Sequence, residues 1–161
     1  DYDFLITLDA DGTHRVSDAR SVFELALGYD VVIGSRFHSK NSLVEWSYFR
    51  QFLTRAAHLT TRIGLGIKHD CSSGLRCYNL TRRKFECLRN LDADGYDFFF
   101  KSAYMLSRNG YSILDLAVTL EARQQGESKM DLFSALSSIW KLFLTVLTFR
   151  FSQVVGHFRL R

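Results

Sequence analysis

Two carboxylates separated by one residue, Asp9 and Asp11, directly follow the short apolar run at 4–8. That run is too short for a helix and predicts a buried strand. Side chains alternate along an extended chain, so both carboxylates can lie on one side of it. Hard divalent cations prefer such oxygen ligands, and α/β sheets bind ligands at the carboxyl ends of their strands. The pair predicts a Mg²⁺ or Mn²⁺ site, with a simple turn or helix N-cap as the alternative.

Three further segments carry side chains suited to binding anions. Arg36 follows the second predicted strand and so falls on the same sheet edge as the carboxylates. Arg50 and Thr54 are four residues apart in a predicted helix and share a face, although Arg50 alone would more often be a solvated surface charge. The segment 123–129 places two cations and a hydroxyl around Gly126, a composition that suits either phosphate binding or an ordinary exposed loop.

The stretch 70–78 is a candidate for a loop that approaches a ligand closely. It is rich in small polar residues and contains Gly74, whose missing side chain lets the backbone come near a bound molecule. Ser73 precedes this glycine and Arg76 follows it after one residue. We expect the loop to lie near the predicted site.

The elements that must position these residues can be predicted from apolar periodicity. Strands and helices alternate, and the strand–helix–strand order at the start predicts a right-handed parallel crossover. Ser17 is expected to cap the first helix and Thr81 the third. The chain of 161 residues fits one α/β domain. The predicted strands are 4–8, 30–35, 75–78 and 112–118, and the predicted helices are 18–27, 46–63, 82–91 and 97–108.

The C-terminal segment 132–161 differs from the rest of the chain. Residues 1–131 carry equal numbers of acids and bases, and the net charge of +4 comes entirely from the four bases of the tail, Lys141, Arg150, Arg159 and Arg161. Apolar residues at helical spacing predict an amphipathic helix over 132–150. The pattern favours a membrane surface over nucleic acid as the partner, while a core helix and a membrane-protein partner remain open alternatives.

Cysteine usage indicates a reducing compartment. Cys71, Cys77 and Cys87 are odd in number and form no Cys-x-x-Cys pair, and the nearby His69 fits no zinc signature. We expect reduced, partly buried thiols, which favours the cytosol. The reduced cysteines and the basic, apolar segment 132–161 together predict a peripheral protein on the cytoplasmic side of a membrane.

Together the motifs resemble the polyprenyl-phosphate (dolichyl-phosphate) glycosyltransferases, a branch of the family 2 glycosyltransferases with the GT-A fold. The resemblance covers nearly the whole chain from Tyr2 to Met130 and implies a partial GT-A fold over 1–131, a Rossmann-like mixed sheet flanked by helices. The motifs, in family order, are Asp9-x-Asp11, Val31-Val-Ile-Gly-Ser-Arg36, Trp46-x-x-x-Arg50, Asp70-x-x-Ser73-Gly74-x-Arg76-x-Tyr78, Gly95-Tyr96-x-Phe98 and Arg123-x-x-Gly126-x-Ser128-Lys129.

The resemblance implies metal-dependent, inverting transfer of a sugar from a nucleotide-sugar donor to a polyprenyl or dolichyl phosphate. Asp9 and Asp11 would be the catalytic residues that hold Mg²⁺ or Mn²⁺ at the donor diphosphate. The other implied sites are Arg36, Arg50 and Thr54 for the acceptor phosphate, Arg123, Ser128 and Lys129 for the donor phosphates, and Ser73, Gly74 and Arg76 in the nearby loop.

The chain departs from the family pattern in three places. Thr13 stands where the family often has a Gln that helps to hold the metal, and Lys101 stands where an acid is common. The nucleoside-binding βαβ segment that precedes the Asp-x-Asp motif in the family has no counterpart here. The resemblance therefore implies sugar transfer for the complete protein.

Two other functions fit parts of the sequence. The segment 8–13 also matches the first motif of haloacid-dehalogenase-like phosphatases, in which Asp9 would be the nucleophile. The later motifs of that family are not evident at good spacing. The second alternative is an inactive fragment that binds a membrane or folds with a partner.

Overall fold

The computed structural model describes residues 2–37, 48–89, 91–93 and 97–119, together with Leu144 and Leu147, and of Arg50 and Asp97 it describes only the backbone. The strands form one sheet in the order β1-β3-β2-β4. The elements are β1 (Phe4–Thr7), α1 (Val16–Ala26), β2 (Val31–Ser35), α2 (Tyr48–Leu65), β3 (Arg76–Asn79), α3 (Glu86–Arg89), α4 (Asp97–Arg108) and β4 (Ile113–Ala117).

The sheet is mixed, which confirms the predicted α/β class. Strands β2 and β4 pair in parallel, with Ile33 opposite Asp115. Strand β3 is antiparallel to both β1 and β2, with Arg76 opposite Thr7 on one side and Ile33 on the other. Strands β1 and β2 therefore run parallel, as expected, but β3 lies between them.

The expectation that the first strand is buried was wrong. Every residue of β2 is buried, whereas Leu5 in β1 is 52% exposed. Strand β2 has a neighbour on each side, but β1 pairs only with β3 among the residues that the structure describes. Strand β1 thus forms one edge of the described sheet.

Helices cover both faces of the central strands. On one face, Val22 and Ala26 of α1 pack against Val32 of β2 and Cys77 of β3. On the other face, Leu106 of α4 packs with Val31, Ile33 and Tyr78. Side chains alternate between the faces of a strand, so a continuous apolar run such as Val31–Ile33 supplies both layers of the core.

Two predicted helix caps were wrong. Helix α1 begins at Val16 after Arg15, which makes no side-chain capping bond, so Ser17 lies inside the helix. The Thr81 hydroxyl donates to Asn79 Oδ1 (2.6 Å) in a turn. Because the amide of Asn79 holds this turn, the predicted helix at 82–91 shortens to α3.

The three cysteines are free thiols, as predicted. Burial raises the pKa of Cys71 to about 12 and that of Cys77 to about 11. Both thiols therefore stay protonated at neutral pH and act as small apolar core residues.

The predicted amphipathic helix at 132–150 lies outside the described residues, apart from two positions. Leu144 and Leu147 are helical, and each is partly exposed. Within the described part of the chain, no helix is long and apolar enough to cross a membrane. The membrane role of the tail remains a prediction.

We predict that Asn79→Ala lowers the free energy of unfolding by about 2 kcal/mol. The buried Asn79 amide donates to Ala26 O at the end of α1 (2.8 Å), and its removal leaves that carbonyl unsatisfied. The matched control is Asn109→Ala, since Asn109 donates to Met105 O (2.7 Å) at the exposed end of α4. Its loss should cost less than about 0.5 kcal/mol. Urea unfolding measures both, and equal losses would contradict the prediction.

Candidate active site

One edge of the sheet gathers the chain segments that carry the candidate residues. Strands β1, β2 and β4 end there at Thr7, Ser35 and Ala117, and the antiparallel β3 begins there at Arg76. The Asp9–Asp11 pair follows β1, Arg36 follows β2, and the 70–74 loop precedes β3. The sheet therefore brings the carboxylates, the arginine and the glycine loop to one edge.

Asp9 lies directly against the backbone of Gly74. A Cβ atom at Gly74 would approach Asp9 Oδ1 to 2.6 Å, so only glycine fits with the carboxylate in this position. The Thr7 hydroxyl donates to Gly74 O (2.7 Å) and fixes the loop against the end of β1. Because the Asp9 side chain is still half-exposed, one side of the carboxylate faces solvent.

The structure adds His14, which sequence reasoning missed. Its Nε2 lies 3.5 Å from Asp9 Oδ2, and its side chain is only 4% exposed. Neither ring nitrogen has a hydrogen-bond partner in the described part of the chain. A single histidine after a turn carries no periodicity or motif, so only its closeness in sequence to Asp9 could have drawn attention to it. His14 forms the buried side of the Asp9 environment.

Asp11 is oriented by its own turn. Its Oδ1 accepts bonds from the Thr13 hydroxyl (2.7 Å) and the Thr13 N–H (3.2 Å), and Thr13 is buried. Thr13 thus supports a carboxylate at the position where the resemblance implied a further metal ligand.

The pair of carboxylates fits a magnesium-like ion. Among the described residues, no three His, Cys, Asp or Glu side chains come together to hold a metal. Mg²⁺ is commonly bound by one or two carboxylates, with water and substrate phosphates filling its other positions. Asp9, which is half open to solvent, and Asp11 match that donor set.

Arg36 is held by a buried carboxylate. Its Nε and Nη2 each donate to Asp70 (3.2 Å to Oδ2 and to Oδ1), and its backbone N–H also reaches Oδ2 (3.2 Å). The Nη2 group further donates to Ser72 Oγ. Asp70 is fully buried, so this ion pair holds the guanidinium in one orientation and opposes its positive charge.

The balance of forces on Asp70 keeps it ionised. Burial alone would raise the pKa of Asp70, but the charge and hydrogen bonds of Arg36, together with the Ser72 N–H, lower it below the ordinary value. A carboxyl group whose pKa falls on folding stabilises the protein above its ordinary pKa, near ~4. That stabilisation is lost as the pH drops through the lower value of the folded state.

Arg76 supports the loop from inside the protein. It is fully buried, and its guanidinium donates to the carbonyls of Ser73 (3.0 Å), Cys71 (3.0 Å) and Phe99 (2.9 Å) and to the Ser102 hydroxyl (2.9 Å). Ser73 is buried as well, and its hydroxyl accepts from the Leu75 N–H (3.3 Å). These residues hold the loop in place, and Gly74 is the member of the predicted set that touches a site carboxylate.

Helix α2 reaches the site through His58. The imidazole stacks on Phe37, which follows Arg36, with the ring centroids 3.9 Å apart. Arg50, Thr54 and His58 follow at intervals of four residues and share a helix face. Thr54 is half-buried, and the side chain of Arg50 is outside the described residues.

Sequence reasoning also missed the pair formed by His69 and Asp115. His69 Nδ1 lies 3.2 Å from Asp115 Oδ2 on β4. Burial, with the charges of Arg62 and Arg36, lowers the pKa of His58 despite Asp70 and Asp115. His58 is therefore neutral at neutral pH. His69 and Asp115 are 46 residues apart in the sequence, so no local motif indicates this pair.

Arg123, Ser128 and Lys129 lie outside the described residues. Strand β4 ends at Ala117 on the edge of the sheet that carries the site. Their role remains a prediction.

Comparison with known proteins identifies relatives of the chain. No protein-family model matches it. It is 32% identical to the undecaprenyl-phosphate mannosyltransferase of Micrococcus luteus over 131 residues, which are 81% of this chain and 54% of the relative. It is 30% identical to the polyprenol monophosphomannose synthase of Mycolicibacterium smegmatis over 81% of the chain and 50% of the relative. The dolichol-phosphate mannosyltransferase of Pyrococcus furiosus is 22% identical over 87% of the chain and 40% of the relative.

Over 81% of its length the chain therefore matches part of two polyprenyl-phosphate glycosyltransferases. This confirms the resemblance seen in the motifs, and the mixed α/β sheet agrees with a partial GT-A fold. The chain spans about half the length of the curated relatives it matches. The relatives do not favour the phosphatase alternative.

We predict that Asp70→Asn lowers the free energy of unfolding by about 3 kcal/mol at neutral pH, because it leaves the Arg36 guanidinium without its buried partner. The matched control is Glu24→Gln, which removes an exposed ion pair with Arg20 and should cost no more than about 0.5 kcal/mol.

The pH dependence of this variant separates charge from packing. Below a pH of about 4 the unaltered chain should lose the contribution of Asp70, so the difference between the two proteins should shrink. Urea unfolding across this range measures it. A difference that stays constant down to acidic pH would show that the Arg36–Asp70 charge pair is not its cause.

Proposed function

We propose that the complete protein transfers one sugar from a nucleotide-sugar donor to a polyprenyl or dolichyl phosphate. The observation that carries this proposal is the single sheet edge on which Asp9, the Gly74 loop and Arg36 meet. The relatives support it, since by name they are two mannosyltransferases and a phosphomannose synthase that work with lipid phosphates.

The reaction needs no general base. A lipid phosphate carries up to two negative charges near neutral pH, because its second pKa is near ~6. A phosphate oxygen attacks the anomeric carbon opposite the leaving nucleoside diphosphate, one carbon–oxygen bond forms as the other breaks, and the configuration inverts. The protein must mainly position two anions and reduce their repulsion.

The carboxylates serve the donor side in this proposal. Asp9 and Asp11 would hold Mg²⁺ or Mn²⁺, which when bound neutralises charge on the donor diphosphate. Gly74 leaves Asp9 the space that it occupies, and Thr13 orients Asp11 through its hydroxyl and N–H. By the family resemblance, Arg123, Ser128 and Lys129 would bind the donor phosphates.

The acceptor side is built from Arg36, Arg50 and Thr54. Because Asp70 opposes the charge of Arg36 and holds its guanidinium, this arginine would act on the acceptor phosphate as the positive end of an oriented ion pair and not as an isolated cation. Arg50 and Thr54 lie one turn apart on the face of α2 that also carries His58. Together they provide a cation and a hydroxyl for the lipid phosphate.

Peripheral association with the cytoplasmic side of a membrane completes the proposal. It is supported by the basic, apolar composition of 132–161 and by the lipid phosphates in the relatives' names. We expect no role in nucleic-acid binding.

We predict that Asp11→Asn lowers the turnover of sugar transfer by at least ~100-fold, a loss of roughly 3 kcal/mol of transition-state stabilisation. The assay follows labelled sugar from nucleotide-sugars to a water-soluble, short-chain polyprenyl phosphate. Asp3→Asn, the same change at an exposed position near the other end of β1, is the control and should leave turnover unchanged.

Two outcomes would contradict parts of this proposal. Full turnover in Asp11→Asn, or in an excess of chelator, would remove the metal role. If the unaltered chain transfers no sugar from any donor tested while the complete protein does, the chain alone is an inactive fragment, as in the second alternative.

We also predict that Gly74→Ala lowers turnover by at least ~10-fold, because the new methyl group displaces the Asp9 carboxylate. Asp9 is half-exposed and can rotate, so the free energy of unfolding should change by less than about 1 kcal/mol. Gly28→Ala is the control, since its Cβ would meet only Leu25 O at 3.7 Å. Strong destabilisation with unchanged turnover of the folded fraction would assign Gly74 to packing alone.

A further inference from the structure

His14 is a buried polar side chain whose ring nitrogens have no hydrogen-bond partner in the described part of the chain. The side chain is only 4% exposed, and both Nδ1 and Nε2 lack a partner there. Each ring nitrogen is a hydrogen-bonding group, so its burial without a partner costs free energy of folding. Most buried polar groups in folded proteins are paired. The imidazole is therefore held at this position at a cost to stability.

The ring of His14 faces the Asp9 carboxylate. Nε2 lies 3.5 Å from Asp9 Oδ2, which is longer than an ordinary N–H···O hydrogen bond. The Asp9 side chain is half-exposed and can rotate, whereas the buried imidazole is fixed by its surroundings. His14 thus presents a fixed polar group to a carboxylate that can move toward it.

The same carboxylate is confined from a second direction by Gly74. A Cβ atom at Gly74 would approach Asp9 Oδ1 to 2.6 Å, so this oxygen lies against the backbone of the loop that precedes β3. The other oxygen, Oδ2, is the one near His14. Two neighbours from separate parts of the chain therefore limit the orientation of Asp9, one at each oxygen.

The turn after β1 supplies one supporting side chain for each carboxylate. Thr13 donates to Asp11 Oδ1 through its hydroxyl (2.7 Å) and its N–H (3.2 Å). The next residue, His14, lies beside Asp9. Carboxylates that bind metal ions are commonly oriented by hydrogen-bonding groups of this kind, and loss of such a group typically weakens metal binding.

We propose that His14 is a positioning residue for Asp9, whose Oδ2 it attracts through Nε2–H, and that it holds the carboxylate in the orientation that binds a divalent cation. The inference rests on the proposed function, which gives Asp9 its metal role. His14 does not contact the cation in this proposal. Residues that lower stability but support a site are expected at functional positions. Removal of the imidazole should therefore change folding and metal binding in opposite directions.

The test measures Mn²⁺ binding to the full chain, without donor or acceptor, from the loss of the electron paramagnetic resonance signal of free Mn²⁺. Binding at this site is the part that Asp9→Asn removes. His14→Phe keeps a ring but has no N–H, and it should weaken Mn²⁺ affinity at least ~10-fold. The same variant should raise the unfolding temperature by roughly 2–4 °C, because the unpaired polar atoms leave the interior.

Two further variants separate the N–H group from packing. Tyr78→Phe is the matched control, because the Tyr78 hydroxyl is another buried group without a partner in the described part of the chain. It should not lower the unfolding temperature and should leave Mn²⁺ affinity unchanged. His14→Gln restores an N–H group and should keep Mn²⁺ affinity within ~3-fold of the unaltered chain.

Three results would overturn the proposal. The first is equal Mn²⁺ affinity of His14→Phe and the unaltered chain, which would leave the metal role of Asp9 standing. The second is a lower unfolding temperature of His14→Phe, which would assign His14 to the fold. The third is equal weakening by Phe and Gln, which would exclude the N–H group as the cause. If Asp9→Asn removes no Mn²⁺ binding, the metal role and this inference fail together.

Discussion

The site depends on the hydrogen bonds that the buried Arg76 guanidinium donates. A buried cation is costly unless its donors are satisfied, and its hydrogen bonds among the described residues go to three carbonyls and one hydroxyl, with no carboxylate. Those acceptors belong to the 70–74 loop and to α4. Arg76 is itself the first residue of β3, so one side chain fixes the loop to the sheet and to a helix at once.

The two ends of that loop serve two parts of the site. At its start, Asp70 holds Arg36, and at its end, Gly74 lies against Asp9. A shift of the loop would therefore move the arginine and the carboxylate together. The proposed transfer between two anions needs both partners in position at the same time, and a shared loop would meet this requirement with few residues.

Sequence reasoning predicted the features that depend on local residue patterns. It missed those that depend on which parts of the chain pack together. The apolar run of β2 and the span of α4 follow from composition and periodicity. The half-exposed β1 could not be predicted, because burial depends on which strand lies beside it. The Arg36–Asp70 pair joins residues 34 apart, and the burial of His14 beside Asp9 follows only from the folded chain. The roles of the site residues were predicted from the family's motifs. The residues by themselves left alternatives open for each of these roles.

Helix α2 links the acceptor residues to Arg36 by its geometry. Its period of 3.6 residues brings Thr54 and His58 to one face, one turn apart. His58 stacks on Phe37, the residue that follows Arg36. Because burial and the neighbouring arginines lower the pKa of His58, the ring is neutral at neutral pH and adds no charge beside the Arg36–Asp70 pair. The acceptor phosphate would then meet the end of β2 and one face of α2, two elements whose relative position this stacking contact helps to fix.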